Sequence, residues 1–89
     1  MFLDALYIVI PAYNEEANIE SVAREWHDVV RRTGPESRLV IVDDGSRDGT
    51  LDILHRLQEE LPQLVPLTKP NAGHGPTLLF GYRYALEQG

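Results

Sequence analysis

Two apolar runs, Leu6 to Ile10 and Leu39 to Val42, each stop at a polar turn that leads into a stretch of helical spacing. They begin about thirty residues apart, the length of a strand–helix–strand unit. A run without alternation is the pattern of a strand buried on both faces, which a parallel sheet covered by helices provides. In such a sheet the two turns lie side by side at the carboxyl ends of neighbouring strands, where ligands bind.

The remaining elements follow from spacing and breakers. After the first run, Asn14 is read as the N-cap of a helix, with Glu15 and Glu16 in its first turn where the helix dipole favours acids. Ile19, Val22, Ala23, Trp26, Val29 and Val30 form its apolar stripe, and Gly34-Pro35 ends it. Asp48 or Thr50 caps a second helix carrying Leu51, Leu54, Leu57 and Leu61, which Pro62 stops. Leu64 to Leu67 reads as a third strand, and Pro66 within it suits a sheet edge. Asn71 to Gly75 is a loop, and Pro76 fits the first position of a third helix whose inner face is Leu78, Leu79, Tyr82, Ala85 and Leu86. Gly81 would let this helix approach the sheet closely, and Gly89 would stop it. The order β-α-β-α-β-α implies parallel strands with right-handed crossovers.

Eighty-nine residues make at most one domain. With 43% hydrophobic and 25% charged residues, the chain reads as globular. The absence of cysteine excludes disulfides and thiolate metal sites, and leaves the compartment open. No stretch approaches the ~20 apolar residues of a membrane span. A net charge of −6 argues against a nucleic-acid partner, because a phosphate backbone demands a basic surface. An acidic chain that bound a diphosphate would draw positive charge from elsewhere, most simply from a divalent metal.

The two turns carry the chemistry. Tyr13 either covers the sheet end or offers a platform to a flat base. Glu15 needs no ligand to explain it, yet it could accept hydrogen bonds from ribose hydroxyls. Asp43 and Asp44 repel each other, and turn formation needs only one of them. Either one caps the turn while the other is solvated, or the pair accepts base N–H groups or holds a metal. Gly73, His74 and Gly75 lack the GxxxxGK[ST] phosphate pattern, and Leu78 stands where GxGxxG would end, so a turn opening a helix is favoured. A helix N-terminus there could still face a diphosphate. His27 and His55 are read as solvated helix flanks.

The pairing of Pro11-Ala12-Tyr13-Asn14-Glu15-Glu16 with Asp43-Asp44-Gly45-Ser46 resembles the start of the family 2 glycosyltransferases, which use nucleotide-diphospho-sugars. That resemblance implies a three-layer αβα, Rossmann-like GT-A fold, of which residues 1–89 would be the N-terminal nucleotide-sugar-binding part, the C-terminal half being absent. It implies that Pro11 and Tyr13 contact base and ribose, that Glu15 contacts ribose, and that Asp44 reads the base with support from Asp43. The stretch from Asn71 to Gly81 is similar to the loop and helix of polyprenyl-phosphate sugar transferases. The donor would be a UDP- or GDP-sugar. The Mg²⁺ or Mn²⁺ ligands and the general base of an inverting transfer would lie beyond residue 89, leaving no catalytic residue here and an inactive fragment. The setting implied is cytoplasmic, at the membrane face.

Two other classes remain to be separated. A receiver-like signalling domain needs its phospho-accepting aspartate after the third strand, which here ends Leu67-Thr68-Lys69. A non-catalytic nucleotide-binding module would keep the turns and lack the chemistry. In the family the first strand is central, so a piece without the fourth strand would expose one side of Leu6–Ile10 and is expected to pair as a homodimer.

Overall fold

The computed structural model describes residues 5–71 and 73–88, apart from the side chain of His74. Gly89, expected to stop the last helix, lies outside the described residues. The element order is β1 (Tyr7–Ala12), α1 (Ile19–Thr33), β2 (Arg38–Asp44), α2 (Thr50–Gln58), β3 (Leu64–Lys69) and α3 (His74–Gln88). The three strands form one parallel sheet in the order β1-β2-β3, with Ile10 opposite Ile41 and Ile41 opposite Pro66. Pro66 therefore sits on an edge strand, where its missing donor costs no ladder bond.

Alternation along the strands divides the molecule into three layers. Ile8, Ile10, Leu39, Ile41 and Leu64 pack with Ile19, Ala23 and Val30 of α1 and Leu54 and Leu57 of α2. The opposite face presents Val9 and Val42 to α3, where a Cβ on Gly81 would lie 2.3 Å from Cγ1 of Val9 and 3.1 Å from Cγ2 of Val42. β2, covered on both sides, is buried from Leu39 to Asp44. This is the expected three-layer αβα arrangement.

Several local expectations need correction. α1 begins at Ile19, with Asn18 and not Asn14 at its N-cap. Asn14 adopts φ 52°, and its Oδ1 accepts the Arg47 amide, so its side chain is committed across to the second turn. Glu15 and Glu16 precede the helix, and Glu20 is the acid of its first turn. Arg24 and Arg56 hold the Glu20 carboxyl below the usual carboxylate range and tie α1 to α2. α2 stops at Gln58, before Leu61, which is nevertheless buried. Gly49, not Asp48 or Thr50, occupies the N-cap position of α2, while Asp48 Oδ1 accepts the Thr50 amide. α3 starts at His74, two residues ahead of Pro76; a proline there is tolerated because first-turn amides lack intrahelical acceptors.

The inner faces of α1 and α3 also differ from the hydrophobicity pattern. Trp26 is exposed, and His27 is buried in line with Ile19, Ala23 and Val30. His27 Nε2 accepts the Gln63 amide at 3.2 Å. On α3, Thr77 and Gly81 are buried and Ala85 half-buried, whereas Leu79, Tyr82 and Leu86 face solvent. Close approach selects the line of small side chains, so the bulky ones are rotated outward.

Candidate functional site

The site is built at the carboxyl ends of β1 and β2, where Ala12 pairs with Asp43. A set of cross-turn hydrogen bonds clasps the two turns. The Asn14 amide donates to Ser46 Oγ at 2.9 Å, and the Arg47 amide donates to Asn14 Oδ1 at 2.8 Å. The Glu15 amide donates to Thr50 Oγ1 at 2.8 Å, and the Glu16 amide to Asp48 Oδ2 at 3.3 Å. The Thr50 hydroxyl in turn donates to Asp48 Oδ1, which with the other bonds holds the Asp48 carboxyl below the usual carboxylate range. Thr50 is fully buried, so its hydroxyl at the centre of this relay is shielded from competing water. Four polar residues that look like ordinary turn formers therefore set the spacing of the two turns. The cue in the sequence was the presence of more hydroxyl and carboxylate side chains than one turn can use.

The two aspartates point to opposite faces of β2. Asp43 Oδ1 and Oδ2 accept the Ser46 amide at 3.3 Å, and Oδ2 also accepts the Thr68 hydroxyl at 3.0 Å. Asp44 Oδ1 accepts from the Lys69 ammonium at 3.0 Å, and its Oδ2 accepts the Gly73 amide at 3.0 Å and, weakly, the Asn71 side-chain amide at 3.5 Å. Asn71 Nδ2 donates also to the Asp44 carbonyl, at 3.1 Å. Asp43 thus caps the turn as expected, but Asp44 is 1% exposed and ion-paired where solvation was the alternative. Lys69 was not singled out from the sequence, although its register opposite Asp44 follows once β2 and β3 are paired.

Asp43 and Asp44 face apart, and each carboxylate is engaged by the donors just described. Among the described residues no three His, Cys, Asp or Glu side chains gather to hold an ion.

The remaining predicted residues are distributed as follows. Pro11 is half-buried in β1 and, with Glu15, lines a cleft of about 230 Å³ completed by Ile10, Ala12, Ile19 and Val22. Tyr13 is 37% exposed at the turn, available to stack on a flat partner. Gly73 adopts φ +91° ahead of α3, and its amide is spent on Asp44. Gly75 is exposed in the first turn of α3, and the His74 side chain lies outside the described residues. Gly45, at φ +68°, lets the third loop, between β3 and α3, press down: a Cβ there would be 2.6 Å from the Asn71 nitrogen.

A parallel α/β sheet covered by helices on both faces, with two clasped polar turns at its carboxyl edge, defines a domain of the Rossmann-like class. The chain belongs to glycosyl transferase family 2, whose family model matches residues 7–88. It is 32% identical over 82 residues to the undecaprenyl-phosphate 4-deoxy-4-formamido-L-arabinose transferase of Pseudomonas paraeruginosa, covering 90% of this chain and 24% of the relative. The enzyme of the same name from Pseudomonas fluorescens is 34% identical over 77 residues, 84% of this chain and 23% of the relative. An uncharacterized glycosyltransferase of Bacillus subtilis is 32% identical over 80 residues, 88% of this chain and 24% of the relative. The chain spans about a quarter of the length of these relatives. Membership of this family sets aside the receiver-like alternative.

Proposed function

We propose that this chain is the nucleotide-binding part of an inverting glycosyltransferase that takes a UDP- or GDP-sugar as donor and a polyprenyl phosphate as acceptor. The observation that supports the donor reading is the pair of clasped turns, which holds exposed Tyr13 and Glu15 at the carboxyl end of β1, beside the strand that ends in Asp44. In this reading Tyr13 stacks on the base and Pro11 supports it, while Glu15 accepts from the ribose. Asp44 accepts base N–H groups, and Asp43 holds the turn that presents it. Gly73, His74 and Gly75 lie at the N-terminal end of α3, which would face the diphosphate. The acceptor reading rests on the undecaprenyl-phosphate transferases of Pseudomonas to which the chain is similar.

The transfer itself would need residues outside these 89, including those that hold a Mg²⁺ or Mn²⁺ ion, so the chain alone is proposed to be inactive. Its setting would be the cytoplasmic face of a membrane. No described helix is long and apolar enough to cross one.

Asp44 is covered by Lys69 and the third loop, so a base reaches it by taking the place of one of its present donors. A hydrogen bond to a charged acceptor contributes roughly 1.5–3 kcal/mol, and Asp44→Asn should therefore weaken nucleoside-diphosphate binding about ten- to a hundredfold. Calorimetric titration of the full-length gene product with uridine and guanosine diphosphates makes the comparison. Equal dissociation constants for wild type and variant would remove Asp44 from the site.

A further inference from the structure

The one buried ion pair among the described residues sits at the proposed site, and its cation comes from the end of β3. Lys69 Nζ lies 3.0 Å from Asp44 Oδ1, with the two side chains 12% and 2% exposed. Its ammonium also donates to the Pro70 carbonyl at 2.6 Å, which fixes its direction. Oδ2 of the same carboxylate faces the third loop, where the Gly73 amide and the Asn71 side chain donate to it. The two oxygens thus have different partners. One is bound to a cation on a strand, the other to donors carried by a loop between β3 and α3.

We propose that Lys69 is a positioning residue that sets base specificity through Asp44, a deepening that rests on the nucleotide-binding function proposed above. An ionised carboxylate accepts hydrogen bonds and donates none. With Lys69 holding Oδ1 and neutralising a charge that burial would otherwise make costly, Asp44 stays an anion, and Oδ2 is the oxygen offered when the loop donors give way. Uracil presents a ring N–H to such an acceptor, and guanine presents a ring N–H beside an amino group. Cytosine and adenine present a ring nitrogen lone pair at the equivalent edge, which an anionic oxygen repels. If Lys69 is lost, the buried carboxyl can take up a proton and donate it, so the discrimination against cytosine and adenine disappears.

The test is a panel of uridine, guanosine, cytidine and adenosine diphosphates titrated against the full-length gene product carrying Lys69, Lys69→Met or Lys69→Arg. Wild type should favour its best N–H-bearing base over the cytidine and adenosine compounds by at least about tenfold. Lys69→Arg should keep that ratio, and Lys69→Met should narrow it to about threefold or less. If Lys69→Met does not fold, Lys69→Gln keeps a donor toward Asp44 without the charge and should narrow the ratio in the same way. A variant that loses affinity for all four nucleotides equally, with the ratio intact, would show Lys69 acting on the diphosphate and overturn the proposal. An unchanged ratio at unchanged affinity overturns it as well. Wild type that binds none of the four overturns the nucleotide-binding function itself, and this inference with it.

Discussion

His27 shows how one residue can carry a pH dependence that its neighbours in sequence do not announce. Its Nε2 accepts the Gln63 amide, so the imidazole must be neutral there. Burial first, and the Arg31 charge second, lower its pKa from the ordinary 6.5, while Asp28 opposes them. The folded state then binds fewer protons than the unfolded state below that value, so stability is full above about pH 6.5 and declines as pH falls toward the folded pKa. Urea unfolding at pH 7.5, 6 and 5 should show this decline in wild type. It should be shallower in His27→Gln, which keeps an acceptor and cannot titrate. Parallel slopes would mean that another group carries the acid sensitivity. In the sequence His27 looked like a helix flank because a polar ring counted against burial; the Gln63 amide, which comes after α2 in the chain, offsets that burial.

At the scale of elements, the contacts are made by small and polar residues at positions where hydrophobicity gives no signal. α3 meets the sheet along Thr77, Gly81 and Ala85, and a methyl on Gly81 would collide with Val9. Gly81→Ala should lower stability by about 1–3 kcal/mol, although alanine is the better helix former by about 1 kcal/mol. A stabilised variant in denaturant unfolding would mean that α3 has room to move away. The clasp between the turns offers a second check. Thr50→Val keeps the shape of Thr50 and removes the hydroxyl that accepts from Glu15 and donates to Asp48. A loss of about 1–3 kcal/mol is expected from the unpaired groups left behind. The Glu15 amide should also exchange faster with solvent, which nuclear magnetic resonance would read directly; unchanged exchange would argue that the clasp is held by its other bonds.

On the scale of the molecule, both outer strands present a free edge among the described residues. β3 carries Pro66 and Lys69, which blunt it, whereas β1 has no such guard before Pro11. Leu79, Tyr82 and Leu86 of α3 add exposed apolar surface. The 89-residue chain is therefore expected to self-associate, most simply as a two-fold dimer paired through β1. Light scattering at micromolar concentration should give about twice the monomer mass. A monomer whose Ile8 and Val9 amides exchange slowly would mean that this edge is protected within one chain.

The order of elements, the parallel sheet and the family were determined by the sequence itself, because unbroken apolar runs, turn residues and the motifs at Pro11–Glu16 and Asp43–Ser46 are local signals. Pro66 even marked its strand as an edge. What only the tertiary structure decided was how polar side chains are shared between distant segments. Asn14 clasps Arg47 where a cap was expected, Asp44 is claimed by Lys69, and Gly81 turns the bulky side of α3 outward. Each of these outcomes depends on a partner roughly 25 to 70 positions away in the chain, and the physical reason is common to them. A buried donor, charge or close backbone contact is worth its cost only when its complement arrives from another element, and local spacing carries no record of that arrival.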